Sequence, residues 1–177
     1  MDESKTRIAK HLKTLGRDMK IRPCQPEDLE VIMDMGQRAW TQIRAMSREA
    51  LGEELYAHLN PNPEKGKGNQ IARHAEKHPE WTWVCEVDGR RVGFITFFIN
   101  HDTGVGEILN NAVDPASGLK GVGQFMYRAV LDRFRAEGLK CAKVRTGLDE
   151  AHAPARRAYE RAGFDRRLDD VTYFRTL

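Results

Sequence analysis

Cysteine is scarce and badly placed for cross-linking: Cys24, Cys85 and Cys141 stand far apart, odd in number, with no Cys-x-x-Cys pair. A disulfide framework and a zinc knot are thereby excluded, and the thiols read as small hydrophobes of a core. Long hydrophobic runs are missing too. The longest, residues 92–99, is far too short to cross a bilayer and suits a buried strand. Excess charge is small, 29 Lys and Arg against 26 Asp and Glu for a net +3, too little to point to nucleic acid. The first fourteen residues mix both signs and lack the apolar stretch of a secretory leader, so a cytoplasmic location is expected.

What is present suits one domain. At 177 residues, 40% hydrophobic and 31% charged, the chain can bury a core without metals or disulfides to help it. Ile8, Leu12 and Leu15 recur at helical spacing before Gly16, which predicts a helical extension over residues 1–18 ahead of a main domain at 19–177. A short strand at 19–23 leads into Gln25-Pro26-Glu27-Asp28, which opens a helix to about residue 46. Ser47 is placed to cap a second helix reaching 59. Residues 60–69 are rich in Pro, Gly and Lys without periodicity, and read as a mobile loop suited to a substrate lid. A short helix at 70–78 follows.

Strands come next. Residues 81–87 and 91–99 flank Asp88-Gly89, a strong hairpin signal. A third run, 106–113, ends at Asp114-Pro115. Then come a glycine-punctuated loop, a helix at 121–137 stopped by Gly138, a strand at 141–146, a helix at 154–162 closed by Gly163, and a last strand at 171–176. The class is mixed α/β, and the stretch 107–146 demands a parallel crossover.

The loop between residues 111 and 124 is the most informative. Gly118, Gly121 and Gly123 free backbone N–H groups at the start of a long helix, where partial positive charge gathers, so the turn can cradle a pyrophosphate. It is no P-loop, because Val122 follows Gly121 where Lys is needed. Nor does the spacing Gly-x-x-Gly-x-Gly match a dinucleotide fold. Taken alone, it fits a phosphate cradle and a plain tight turn equally well. Residues 118–177 hold 13 Lys and Arg against 8 Asp and Glu, which suits a phosphorylated ligand or simply a solvated face.

Together with the helix from His152 through Tyr159 to Gly163-Phe164, this loop resembles the GCN5-related N-acetyltransferase (GNAT) superfamily. The likeness is strong over 107–164 and architectural before residue 81. It implies an acyl-CoA N-acyltransferase fold, a mixed twisted sheet of about six or seven strands flanked by helices, with strands 106–113 and 141–146 splaying apart to admit acetyl-coenzyme A. It further implies that the amides of Leu119, Lys120, Gly121, Val122, Gly123 and Gln124 hold the pyrophosphate. Gly118 stands where the family usually has Gln or Arg, and Lys120 is placed to compensate. Ala112 and Val113 match the segment that bonds the pantetheine arm. His152 occupies a position commonly Asn, and Arg156 on the same helix joins the cofactor-binding set.

Tyr159 matches the tyrosine that protonates the departing thiolate. Glu107, six residues before Val113, matches a catalytic glutamate and serves as base for the amine or as a contact to substrate, with Asp102 and Asn111 as lesser candidates for the base. An amine of pKa about 10.4 is mostly protonated at neutral pH, so some base is required.

No metal is expected. His74 and His78 have ligand spacing, but Ala75 replaces the glutamate of a zinc peptidase. No Ser/His/Asp elbow is visible. The reading is thus acetyl transfer from acetyl-coenzyme A to a small-molecule or peptide amine in a ternary complex, with no nucleic acid or membrane partner and with room for a homodimer. Its rivals are a non-catalytic acyl-coenzyme A sensor on the same fold and a basic nucleic-acid module.

Overall fold

The computed structural model describes residues 10–14 and 17–177. Among them, six strands form one sheet in the order β1 (Lys10–Thr14), β2 (Arg17–Pro23), β3 (Thr82–Val87), β4 (Arg90–Asn100), β5 (Val105–Val113) and β6 (Cys141–Val144). Neighbours are antiparallel except β5 and β6, which are parallel and joined through α5 (Val122–Ala136). That is the expected crossover. The β3–β4 hairpin turns on Asp88 and Gly89, both at positive φ (50° and 77°), as a tight two-residue turn requires.

The sheet has helices on both faces. On one, Ile21, Trp83, Ile95, Phe97 and Ile108 pack with Met126, Val130 and Phe134 of α5. On the other, Val84, Phe94 and Ala112 pack with Ile32 and Met35 of α1 (Leu29–Ala39) and Ile71 of α4 (Gly66–Lys77). Cover on both sides explains why 92–99 is continuously apolar. Burying Phe94 and Phe97 completely contributes about 1.5–3 kcal/mol each. Asp28, also fully buried, accepts from Arg22 (2.6 and 3.0 Å), Arg91 (2.8 Å) and the Gln25 amide (2.8 Å), which pins the start of α1 to β2 and β4.

Several elements differ from the sequence reading. Lys10–Thr14, read as helix, is a strand paired with β2 in the register Leu12 to Met19; a waiting partner strand overrides helical spacing. Ile8 and Leu15 lie outside the described residues. The two helices of 26–59 are three, α1, α2 (Thr41–Leu51) and α3 (Glu53–Leu59), broken at Trp40 and at Gly52 (φ 74°). Gly66–Asn69 of the expected loop is helical, forming the first turn of α4. No strand follows α6 (Ala153–Arg161) among the described residues. Arg145 ties the tail through Asp170 (2.6 Å), but β6 alternates exposed and half-buried residues, so it offers 171–176 no buried surface to pack on.

Candidate active site

β5 carries the site, and its register is decided by a bulge. Ile95 pairs with Asn111 and Phe97 with Ile108, so Leu109 and Asn110 together face Thr96. The Thr96 hydroxyl closes the irregularity, accepting from the Asn110 amide (2.9 Å) and donating to its carbonyl (3.2 Å). An extra residue reverses which side the following side chains face. Ile108 and Asn111 therefore both point toward α5.

Beyond the bulge β5 loses its other neighbour. β6 pairs only with residues 105–108, and the edge of 109–113 has no strand beside it among the described residues. β6 ends at Val144, so the backbone groups of Asn111 and Val113 lie along an open seam, whereas those of Ala112, expected on that edge, face Phe94 of β4, because Asp114 N–H bonds the Val92 carbonyl (2.8 Å) and antiparallel bonding recurs at every second residue.

At the end of that seam the glycine loop leads into α5. Asp114 accepts from the Ala116 amide (3.0 Å) and from Arg38 of α1 (2.8 Å), anchoring the turn. Ser117 donates to the Asp114 carbonyl (2.7 Å). Gly118 and Gly121 are left-handed, at φ 62° and 84°, and no side chain caps the helix. The first-turn amides of Val122, Gly123 and Gln124 thus have no acceptor within the helix and face outward with its positive end. Lys120 is exposed on the same loop. The Gln124 side chain donates to the Ala158 carbonyl (2.7 Å), locking α5 to α6. From Gln124 a basic groove of about 340 Å³ continues between these helices past Arg128, Arg135 and Arg161.

Tyr159 of α6 faces the seam from the α5 side and is almost wholly buried. Its hydroxyl accepts from Asn111 Nδ2 (3.1 Å), and Asn111 Oδ1 accepts from Tyr127 of α5 (2.8 Å). Burial pushes the Tyr159 phenol above its ordinary value, opposed by the bonds from Asn111 and Tyr127. A cavity of about 580 Å³, bordered by Val144, Leu148, Arg156, Phe164 and Leu168, opens onto Tyr159.

His152 and Arg156 serve the loop before α6. The His152 ring lies 2.6 Å from Asp149, and Arg156 Nη1 donates to the carbonyls of Gly147 (2.7 Å) and Asp149 (2.6 Å). Glu107 lies before the bulge and points away from α5, where Lys143 meets it at 2.9 Å. Asp102 sits in the β4–β5 turn, a strand length of roughly 20 Å from Asn111, too far to share its chemistry.

A family model described as the acetyltransferase (GNAT) family matches residues 40–164. The chain belongs to the GNAT acetyltransferase family. A mycothiol acetyltransferase of Streptosporangium roseum is 38% identical over 89 residues, which are 48% of this chain and 26% of that protein; the match thus spans about a quarter of the relative's length. Two solved structures share the fold. The PaiA N-acetyltransferase of Thermoplasma acidophilum, in complex with coenzyme A, is 16% identical with a TM-score of 0.62, covering 86% of this chain and 92% of its own. Ard1 from Thermoplasma volcanium is 25% identical with a TM-score of 0.58, covering 82% and 81%.

Within this GNAT fold the expected residues fall into two groups on opposite faces of β5. Asn111 and Tyr159 meet on the α5 side, and Glu107 stands on the α4 side. Two residues escape the sequence reading. Tyr127 looks like an ordinary core aromatic of α5, and only its contact with Asn111 marks it. Lys67 of α4 places its ammonium 2.6 Å from Asn110 Oδ1, 2.9 Å from Gln70 Oε1 and 4.1 Å from the Trp40 ring centroid. Burial pushes its pKa down to about 8. Composition puts it in a mobile loop, and nothing in its neighbours' types signals burial. Among the described residues no cluster of His, Cys, Asp and Glu is grouped to hold a metal, and no helix is long and apolar enough to cross a membrane.

Proposed function

We propose that the protein is an N-acetyltransferase that passes an acetyl group from acetyl-coenzyme A directly to a primary amine. One observation carries the reading: an unpaired strand edge runs between an uncapped helix start and a buried tyrosine. The first-turn amides of α5, with Lys120, suit the pyrophosphate, and the Arg128–Arg161 groove suits the remaining phosphate. Val113 offers its backbone groups to the pantetheine amides. His152 and Arg156 act on the cofactor through the loop they hold.

In the reaction the amine nitrogen bonds to the thioester carbonyl carbon as the carbon–sulfur bond breaks. Tyr159 gives its proton to the departing sulfur, general acid help worth on the order of 10²- to 10⁴-fold in rate. Glu107, on the opposite face, takes the amine proton through solvent. Held side by side, the two substrates need no covalent enzyme intermediate. The products are an amide and free coenzyme A.

The test is thiol release from acetyl-coenzyme A with a panel of amines: aminoglycosides, amino sugars, polyamines and peptides with free N-termini. Amine-dependent release in step with amide formation is the expected result. Coenzyme A binding without release for any amine would favour the sensor instead.

A further inference from the structure

We infer that Asn111 and Tyr127 form a positioning pair that leaves the Tyr159 proton free to point at the coenzyme A sulfur. This rests on the role proposed above for Tyr159. Three side chains from β5, α5 and α6 meet, and a single amide orientation settles where each proton lies.

The two distances select that orientation. Tyr127 Oη lies 2.8 Å from one Asn111 amide atom, and Tyr159 Oη lies 3.1 Å from the other. The shorter separation is typical of O–H···O and the longer of N–H···O. Reversing the amide would stretch a tyrosine O–H···O bond to 3.1 Å, beyond its usual range. Burial agrees with the distances. Tyr127 lies inside the α5-side core, so its proton needs a protein acceptor, and Asn111 Oδ1 supplies one.

The consequence falls on Tyr159. A phenol has one proton and two lone pairs. Asn111 Nδ2 occupies a lone pair, so the proton is not consumed by Asn111 and can be directed elsewhere. Once that proton moves to sulfur, the same Nδ2–H bonds a phenolate, and a bond to a charged acceptor is stronger than one to a neutral acceptor. Without Tyr127, the amide is free to turn and accept the Tyr159 proton itself. Tyr127 never touches the reacting atoms; it acts through Asn111 and through its own contact with the Tyr159 hydroxyl.

Coenzyme A alone suffices for the test, because its thiol can be titrated in the bound state by thiolate absorbance. A phenol aimed at sulfur stabilises the thiolate by one hydrogen bond to a charged group. The bound thiol should therefore titrate at a pH about 1 to 2 below that of free coenzyme A. The charged groups that border the cavity, Lys143 and Arg145 at the end of β6, Arg156 and Glu160 of α6, and the acids and arginines of 165–170, are unchanged in the variants, so their influence cancels in the comparison.

Tyr159→Phe should abolish the displacement. Tyr127→Phe should abolish it equally while calorimetry at about pH 6, where the thiol stays protonated, shows unchanged coenzyme A affinity, and the double variant should show no further change. If Tyr159→Phe removes the displacement and Tyr127→Phe keeps it, the positioning pair is refuted and the acid role of Tyr159 stands. If Tyr159→Phe leaves the titration untouched, the acid role fails, and the pair fails with it.

Discussion

Replacing Gly121 by alanine separates backbone conformation from side-chain contact at the phosphate loop. Gly121 sits at φ 84°, and a Cβ built there meets no heavy atom within 4 Å, so the substitution is strained without clashing. Left-handed backbone costs an L-residue about 1–2 kcal/mol. For a chain of this length that lowers Tm by roughly 2–8 °C. If the chain instead relaxes toward negative φ, the amides of Val122 and Gly123 turn away from the ligand. Losing one hydrogen bond to a charged group is worth about 1.5–3 kcal/mol, a rise in Kd for coenzyme A of about 10- to 100-fold. Gly138 supplies the control: it lies beyond the other end of α5 at φ 72°, again with nothing within 4 Å of an added Cβ. Gly138→Ala should carry the same stability cost and leave coenzyme A binding alone. Titration calorimetry beside thermal melts reads both quantities. Equal losses of stability in the two variants, with coenzyme A affinity unchanged in Gly121→Ala, would show that the loop does not hold the phosphates.

Three further outcomes are expected. Glu107→Gln, assayed with an amine that releases thiol, should lose rate at neutral pH and recover it at high pH, where free amine is abundant and needs no base; an unchanged profile would leave Glu107 as a partner of Lys143 only. Asp28→Asn breaks a buried charge network and should cost about 3–5 kcal/mol in denaturant unfolding at neutral pH. Although burial alone would raise the Asp28 pKa, Arg22, the Gln25 amide and Arg91 hold it well below the carboxylate range. The wild type should therefore lose stability as pH falls below about 5, while the Asp28→Asn variant lacks that dependence, and parallel acid titrations of the two would contradict the assignment. Lys67 follows the same sign at higher pH, from burial of a cation rather than pairing of an anion: its folded pKa of about 8 lies below the unfolded value near 10.4, so the unfolded chain binds the extra proton between them. Wild-type stability should rise relative to Lys67→Met as pH goes from about 7 to about 10, and a constant gap would mean that the ammonium is not desolvated.

Local chemistry was legible in the residues themselves. Asp88-Gly89 dictates its turn wherever the hairpin lies, because few other residues accept positive φ. Gly118 and Gly121 free the amides of the following helix by the same logic, and Gly138 and Gly163 end helices at the predicted places. Alternation and apolar runs placed β3 to β6 within a few residues, because a strand's burial is written in its own period. What required the tertiary structure is whatever depends on a partner distant in sequence. Lys10–Thr14 is a strand because β2 lies beside it, while 171–176, with good strand composition, finds no surface to pack on. Arg156 is drawn to two carbonyls by the path of its loop. Above all, the bulge at Leu109 and Asn110 exists because Thr96 on the neighbouring strand bonds both backbone groups of Asn110. Strict alternation would set Asn111 on the same face as Glu107. One extra residue turns it to Tyr127 and Tyr159 instead, and no local pattern encodes that turn.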